Sequence, residues 1–554
     1  MSPPAPNVAP TGTDDTAADH LLRVGRAYPL TSPGMMCRAL ALSSDTIVAV
    51  AEEPGGLDHL ITAGTRVTDA PDLTILPAFS DAHEHLLEAA KATALVSLVG
   101  VHSVGELSGA IRRATEAAPP GAWIQTASSW HESDLAEGRL PTVDELDQAS
   151  STHPVYVRRG GHLAIANTAA LQLAGVTPGT PDPPGGSYGR DPDGRLNGLI
   201  EGGAVYTVLA HAPPLPTSTL VDGLQAASAA YAALGVGSIR EALIQPDEWP
   251  AYVAAAREGV LSVRARPLIR IPDGEPAEAG LRFLDDLDDL DRVGDDWLRL
   301  WGLKVVFDGG VEGAALEAPY ADNPNATGHV NWDVDTLVTV GSAAVGRGWR
   351  VGTHAVGDRA VRLVLDAYER IQQSAERPPA GALVLEHALL ADATQRARAV
   401  RLGVPVTLQH SLLWNMGGEM LTAWGPERTA RVSPVDDWLR LGADVAVGTD
   451  LNRPFNPLIN VWGMVTRGTK TAGVQGPEHR IDRYTAVERY TAGTARLCFE
   501  SDHRGTLQPG RLADLVAYQT DPLTADIDAL PSLEPAFTVV GGHPVHDPDG
   551  RLGV

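Results

Sequence analysis

Two histidines separated by a single residue are the first pattern in this chain that could do chemistry. His83 and His85 follow residues 73–79, an apolar run that predicts a short buried strand. Alternate residues of an extended chain point to the same side, so both imidazoles can reach one metal ion at the mouth of that strand. The same pair is also compatible with two unrelated polar residues in a loop. The downstream sequence has to decide between these interpretations.

A lysine lies where a charged side chain is not expected. The chain has three lysines, Lys91, Lys304 and Lys470. Lys304 lies in an apolar run at residues 298–310 that predicts a central strand, and a buried ammonium is costly unless it is paired or neutral. Arginine cannot replace a neutral amine. Such an amine near metal can add carbon dioxide to form a carbamate that bridges two metal ions. An ion pair of Lys304 with Asp308 or Glu312 explains the position equally well.

Composition limits the partners and the compartment. The formal net charge of -26 argues against nucleic acid and anionic membranes as partners. Cys37 and Cys498 are too few for a disulfide framework and fit a reducing cytoplasm. No run is long and apolar enough to span a membrane. We expect a cytoplasmic protein that acts on a small molecule and forms a homodimer.

From residue 235 onward, short apolar runs alternate with Ala-rich stretches of helical composition. Together with residues 73–79, the strand candidates are 236–240, 261–270, 298–307, 349–353, 382–385, 404–408 and 444–447. Eight strands that alternate with helices predict an α/β fold, a TIM-like (β/α)8 barrel.

The remaining segments differ from this alternation. Residues 1–20 are polar and rich in Pro and Ala, which predicts a disordered tail. Residues 21–76 and 506–554 contain short strand-like runs between turn residues, and we expect them to form a β-sandwich built from both termini. The barrel then covers residues 77–505. Pro and Gly clusters at about residues 88–216 predict an insertion after its first strand.

Polar residues fall where the barrel strands end. His83 and His85 follow the first strand, Lys304 lies late in the fourth, and His354, His387 and Asp450 follow the fifth, sixth and eighth. Active sites of such barrels lie at the C-terminal ends of the strands. Imidazoles and carboxylates suit zinc and similar divalent ions. This convergence predicts a metal-dependent active site far more strongly than any single motif.

These motifs resemble the amidohydrolase superfamily, in particular the YtcJ-like group that includes N-substituted formamide deformylases. The segments that carry the resemblance are residues 77–86, 304–309, 354–358, 386–387, 448–450 and 509–515. The resemblance implies two divalent metal ions, which we expect to be Zn²⁺. It assigns His83 and His85 to one ion, His354 and His387 to the other, a carbon dioxide-derived carbamate on Lys304 as the bridge, and Asp450 as ligand and proton carrier.

The expected reaction is hydrolysis of an amide, formamide or related C–N bond through a metal-bridging hydroxide. A deaminase of the same fold is an alternative, although such enzymes usually lack the lysine of the fourth strand. A lyase or isomerase that uses the same metals is another alternative. A non-catalytic barrel would have lost metal ligands, and this sequence retains them all. Departures near Ala78, Ser80 and residues 238–241 leave the substrate open.

The substrate wall is the least determined part of the site. Candidates on loops near the strand ends are Trp130, His162, His410, Trp414 and Arg453. Aromatic walls suit an apolar or aryl substrate. Aromatic residues also pack between a barrel and an insertion, and the sequence does not separate these two roles.

Overall fold

The fold is taken from a computed structural model. The structure describes residues 17–128, 130–161, 163–183, 186–273, 276–288, 290, 294–374 and 378–553. Residues 1–16 of the predicted tail lie outside the described residues.

Strands occur at both ends of the chain and throughout its middle. The first ten are β1 (His20–Ala27), β2 (Cys37–Ser43), β3 (Thr46–Ala51), β4 (Arg66–Pro77), β5 (Phe79–Glu84), β6 (Ile124–Gln125), β7 (Val155–Arg159), β8 (Leu163–Ala166), β9 (Gly186–Arg190) and β10 (Leu196–Gly202). The others are β11 (Val236–Glu241), β12 (Arg264–Ala265), β13 (Leu268–Arg270), β14 (Gly302–Val306), β15 (Val351–Ala355), β16 (Leu383–His387), β17 (Val406–Leu408), β18 (Val445–Val447), β19 (Leu515–Tyr518), β20 (Phe537–Val540) and β21 (His543–His546).

Helices lie between most of these strands. The first nine are α1 (Leu86–Ala92), α2 (Val104–Ala117), α3 (Val143–Ala149), α4 (Thr168–Leu173), α5 (Gly203–Leu209), α6 (Thr217–Ala232), α7 (Trp249–Arg257), α8 (Ala277–Asp286) and α9 (Val334–Gly346). The others are α10 (Asp358–Gln372), α11 (Ala393–Arg401), α12 (His410–Trp424), α13 (Pro426–Ala430), α14 (Val435–Arg440), α15 (Pro457–Thr466), α16 (Arg483–Arg489) and α17 (Ala492–Leu497). Among the described residues, none of the helices combines the length and apolarity needed to cross a membrane.

Both ends of the chain share one sheet. Its seven strands are ordered β21-β20-β19-β4-β1-β2-β3. The N-terminal strand β4 pairs in antiparallel fashion with the C-terminal strand β19. Leu22, Ile75, Leu515 and Phe537 are buried together in the core of this unit. The first and last segments of the chain therefore depend on each other for their apolar burial.

Two parallel sheets carry the site. Their strand orders are β12-β11-β5 and β13-β14-β15-β16-β17-β18. The sheets meet where the backbone N–H of Ile244 donates to Leu268 (2.8 Å), and again where the N–H of Asp450 donates to His83 (2.9 Å). Helices α6 to α11 alternate with these strands, and buried residues such as Leu303 pack in the core between strands and helices. The predicted α/β alternation is confirmed.

Prolines divide two of the predicted strands. The predicted strand at residues 73–79 contains the end of β4, and the parallel strand β5 begins only at Phe79. Pro77 has no N–H to continue the ladder, and the chain changes partners there: the N–H of Ala78 still bonds to Asp514 (3.0 Å), whereas that of Phe79 bonds to Gly235 (2.9 Å). His83 consequently lies inside a strand rather than after one. The predicted strand at residues 261–270 is likewise split into β12 and β13 around Pro267.

The predicted insertion region contains a sheet of its own. Its five strands are ordered β6-β7-β8-β10-β9, with helices α2 to α5 beside them. Leu107, Ile111, Val155 and Ile165 form part of its separate buried cluster. The region therefore has an apolar core separate from that of the parallel sheets.

Candidate metal centre

Asp450 lies at the centre of the predicted ligand set. Its Oδ1 is 3.1 Å from Nε2 of His85 and 3.8 Å from Nε2 of His83, and its Oδ2 is 3.8 Å from Nδ1 of His387. The possible ligand atoms of His83, His387 and Asp450 lie within 4.8 Å of one another. The ring of His354 is 4.5 Å from that of His387, centroid to centroid. The structure thus brings together side chains from four separate strand ends.

Backbone geometry at the strand ends aims these side chains. His387 and Asp450 both have left-handed backbones, with φ of 72° and 58°. Such values are uncommon for residues other than glycine and occur preferentially at functional sites. The carboxylate of Asp81 accepts the backbone N–H groups of His83 (3.0 Å) and Thr449 (3.1 Å). This bond pair holds the end of β5 against the segment that carries Asp450.

Two of the imidazoles are held from behind by side-chain oxygens. Nδ1 of His83 lies 2.7 Å from Oε2 of Glu386, and Nδ1 of His387 lies 2.8 Å from Oε1 of Gln409. A histidine that donates one N–H to an oxygen presents its other nitrogen as a lone pair, which is the usual arrangement around a protein metal site.

The other two imidazoles have similar surroundings. Nε2 of His354 lies 3.2 Å from the carbonyl oxygen of Gly309. Nδ1 of His85 lies 3.6 Å from Oε1 of Glu241, a fully buried carboxylate that also accepts the hydroxyl of Tyr252 at 2.7 Å. An oxygen within hydrogen-bonding distance thus orients His354, whereas the carboxylate of Glu241 is a more distant neighbour of His85.

Lys304 lies in β14 and is only 2% exposed. Its Nζ is 3.3 Å from Nε2 of His83. Burial lowers the pKa of Lys304 to about 8, although the carboxylates of Glu386 and Asp450 oppose that change. The neutral amine that carbamate formation requires is therefore easier to reach than in an exposed lysine.

Asp308 does not serve as the ion-pair partner that the sequence allowed for Lys304. Its carboxylate accepts the backbone N–H groups of Ala315, Val356 and Gly357, each at 2.9 Å. These bonds tie the loop after β14 to the end of β15. The carboxylate of Asp308 therefore holds the backbone in place on the side of the site where His354 lies.

Burial and neighbouring charges set the protonation of the metal-free ligands. Burial lowers the pKa of His387 and holds that of His83 well below its ordinary value. Burial also lowers the pKa of His85, but Asp450 and Glu241 outweigh it and raise that pKa to about 10. Burial would raise the pKa of Asp450, yet the neighbouring histidines hold it below its usual range. Metal binding at such a site releases protons.

The donor set fits a divalent metal ion. Neutral imidazoles and an ionised carboxylate are ligands that zinc and related ions prefer. His83, His354 and His387 are buried and have an oxygen within hydrogen-bonding distance behind the ring. His85 and Asp450 are partly exposed and converge with them.

A cavity of about 350 Å³ opens over this centre, and all six predicted ligand residues line it. Of the predicted wall residues, Trp130 and Arg453 line it as well. The indole N–H of Trp130 donates to the carbonyl oxygen of Arg158 at 2.7 Å, which fixes its ring in the wall. His162 lies outside the described residues.

The structure places His410 and Trp414 away from this cavity. Neither is among the described residues that line it. His410 is 1% exposed, and its ring packs against the backbone of Gly463. Trp414 stacks edge-on against Phe455, with centroids 5.4 Å apart. Gln409 instead takes the position at the end of β17 that faces the ligands.

Ion pairs form within the insertion region and join it to α1 and α12 beside the cavity. Arg158 pairs with Glu88 of α1. Arg159 binds Glu132 at 2.8 Å and reaches Glu419 of α12 at 3.4 Å. These arginines are therefore engaged with protein carboxylates.

The sequence interpretation missed the residues behind the ligands. Glu241 is the last residue of β11, and Gln409 directly follows β17. The same strand-end rule that selected His354 and Asp450 would have selected both. Arg240, which donates to Glu386 at 2.7 Å, leaves no such local signal because its partner is distant in the chain.

Comparisons with known proteins show which family the chain resembles. The model of the amidohydrolase family matches residues 66–546. The chain is 28% identical to Protein LONG AFTER FAR-RED 3 of Arabidopsis thaliana, over 92% of this chain and 89% of that protein. It is 25% identical to N-substituted formamide deformylase of Arthrobacter pascens, over 91% and 94%. It is 27% identical to YtcJ of Bacillus subtilis, described as an amidohydrolase, over 85% and 89%.

A solved structure extends the similarity to the fold. An uncharacterized metal-dependent hydrolase from Pyrococcus horikoshii superposes with a TM-score of 0.73 at 25% identity, over 92% of this chain and 99% of that one. The family match covers most of the chain, including every strand end that contributes to the centre. The chain belongs to the amidohydrolase family, in its YtcJ-like branch.

Proposed function

We propose that this protein hydrolyses an amide, formamide or related C–N bond of a small substrate with the help of bound divalent metal. The observation that carries the proposal is the convergence of four histidines, Asp450 and Lys304 on one cavity. Membership of the family makes the protein a hydrolase acting on carbon–nitrogen bonds other than peptide bonds. Similarity to a formamide deformylase favours N-formyl and N-acyl amines as the first substrates to test.

The proposed metal arrangement uses two ions, which we take to be Zn²⁺. His83 and His85 would hold one ion, and His354 and His387 the other. The neutral Nζ of Lys304 would bond to the carbon of carbon dioxide and lose a proton, giving a carbamate between the two sites. A bound divalent metal supplies a Lewis acid that polarises a carbonyl group and acidifies water.

The chain's own residues would move the proton. A carboxylate oxygen of Asp450 takes a proton from the attacking water and returns it to the leaving nitrogen. Asp450 suits this role because its carboxylate faces the cavity and lies between His85 and His387. The insertion region closes one side of the cavity through Trp130 and the ion pair of Arg159 with Glu132, which limits the access of bulk water.

The same proposal extends to the architecture and the compartment. The two parallel sheets would form the (β/α)8 barrel, the seven-stranded sheet would supply the strands of the terminal β-sandwich, and residues 88–216 would be the insertion. Cys37 and Cys498 are free and buried, which favours the cytoplasm. Homodimer formation stays a prediction.

Metal analysis followed by substrate screening tests the function. Purified protein should contain up to two divalent ions per chain and should release amine from N-formyl or N-acyl amines. Removal of metal with a chelator should abolish turnover, and added Zn²⁺ should restore it. Protein that binds no divalent metal, or that stays fully active without it, would overturn the proposal.

A further inference from the structure

A buried carboxylate beneath the centre receives three donors. Glu386 is fully buried. Its Oε2 lies 2.7 Å from Nδ1 of His83 and accepts the hydroxyl of Thr407 at 2.6 Å. Its Oε1 accepts Nη2 of Arg240 at 2.7 Å. A Cβ at position 352 would clash with Oε1, so Gly352 keeps the space that this ion pair occupies.

The hydrogen bonds continue from Glu386 to a second histidine. Oγ1 of Thr407 accepts Nε2 of Gln409 at 3.0 Å. Oε1 of Gln409 then lies 2.8 Å from Nδ1 of His387. Thr407 and Gln409 are both fully buried. Glu386 therefore contacts His83 directly and reaches His387 through Thr407 and Gln409. We call Arg240, Glu386, Thr407 and Gln409 together the Glu386 chain.

The direction of every bond in the Glu386 chain follows from its ionised end. Arg240 remains a cation in proteins and keeps Glu386 ionised, so that this carboxylate only accepts. Thr407 must give its single hydroxyl hydrogen to Glu386. It can then only accept from the amide nitrogen of Gln409.

That order fixes both imidazoles. Because the amide nitrogen of Gln409 is directed at Thr407, its oxygen faces His387. His387 must then carry its hydrogen on Nδ1, which leaves the Nε2 lone pair for a ligand role. Glu386 imposes the same tautomer on His83 directly.

We propose that the Glu386 chain is a positioning device, in which one buried ion pair sets the tautomers of both His83 and His387. These two histidines belong to different metal ions in the proposed function, and only this description of them as ligands rests on that proposal. The Glu386 chain would set the tautomer of one histidine ligand of each ion before either ion binds.

Thr407→Val tests the inference because valine keeps the shape and removes the hydroxyl. Gln409 then loses the acceptor that orients it, and His387 should lose its preference for hydrogen on Nδ1. The affinity for Zn²⁺, measured by competition with a chelator, should fall about 10- to 100-fold. Thr407→Ser retains the hydroxyl and should bind Zn²⁺ like the wild type.

Thr353→Val is the matched control. Thr353 is also a fully buried strand threonine, and its Oγ1 accepts the hydroxyl of Tyr368 at 2.7 Å. That hydroxyl has a second acceptor in the carbonyl oxygen of Val384 at 2.9 Å, so the substitution leaves Tyr368 bonded. The control should retain wild-type Zn²⁺ affinity.

The second readout is the tautomer itself in metal-free protein, from ¹⁵N-histidine NMR, with His387 assigned by its loss in His387→Gln. In Gln409→Leu, His387 should lose its preference for hydrogen on Nδ1, whereas His83 should keep its contact with Glu386 and its tautomer. The variant therefore separates the effect on His387 from the effect on His83. The inference is overturned if His387 keeps hydrogen on Nδ1 in folded Thr407→Val or Gln409→Leu. It is also overturned if Thr407→Val and Thr353→Val bind Zn²⁺ alike. Absence of metal binding by the wild type would instead count against the proposed function.

Discussion

Nζ of Lys304 lies 3.3 Å from Nε2 of His83, although the two residues come from different strands. An ammonium at this distance would compete with a metal ion for the same lone pair. A neutral amine competes less, and the carbamate formed from it carries an anionic group that attracts a metal ion. The contact therefore makes the chemical state of Lys304 a condition for metal binding at His83.

Lys304→Ala should bind metal poorly and be nearly inactive, because it removes the carbamate that would bridge the ions. A short-chain carboxylic acid that fills the gap should restore part of the activity. Lys304→Arg should not be rescued, because a guanidinium adds positive charge between two cations. Electron density that ends at the Lys304 amine, in fully metallated and active protein, would contradict carboxylation.

His83→Ala and His354→Ala should each abolish turnover and lower the metal content, because each removes an imidazole of the centre. Metal per chain is measured by elemental analysis of the dialysed protein. His59→Ala, at an exposed position of the terminal region, is the control and should keep both properties. Full activity and full metal content in either active-site variant would contradict the assignment of that ligand.

Asp450→Asn should keep the fold and much of the metal, yet lose turnover by several orders of magnitude. The amide retains an oxygen that can bind metal but cannot take up a proton. Turnover and metal content are measured on the same sample. Near-normal turnover in a metallated variant would mean that another group moves the proton.

Much of the site could be predicted because it depends on local patterns. The period and length of the apolar runs predicted the alternation of strands and helices, and the residues just after those runs gave His354, His387 and Asp450. The resemblance to the amidohydrolase superfamily is confirmed by the family match. The domain boundaries stay a prediction. Near the point where β4 ends and β5 begins, Pro77 is the one signal that the sequence pattern offers.

Contacts between distant segments were beyond the sequence. Arg240 and Glu386 are 146 positions apart, and nothing in either local pattern shows that they meet. The placement of His410 has a different cause. The sequence predicted it as a wall residue because it lies close to a strand end, but Gln409 holds the position at the end of β17, and His410 already belongs to α12 and turns toward α15. A difference of one residue at a strand end redirects the side chain.

Glu500 offers a test of stability away from the site. It is 2% exposed and binds Arg266 and Arg504 at 2.6 Å each, and Arg504 also bonds to Ser80 in β5. Burial would raise the pKa of Glu500, but these arginines outweigh it and lower that pKa to about 2. The carboxylate is therefore ionised in the folded protein over the pH range in which most proteins are stable.

Glu500→Gln should lower the free energy of unfolding at pH 7 by about 3–5 kcal/mol, because it leaves buried arginines without their anion. A carboxyl whose pKa is lowered on folding contributes its full stability above its unfolded pKa of 4.5 and loses it as the pH falls toward 2. The difference from wild type should therefore be constant from neutral pH down to about pH 5 and narrow below it.

Urea denaturation at each pH measures this difference in the free energy of unfolding. Glu317→Gln, in an exposed pair with Arg362, is the control that should change little. A difference independent of pH between 5 and 3, or no larger than that of the control, would show that the charge of Glu500 does not hold these arginines in place.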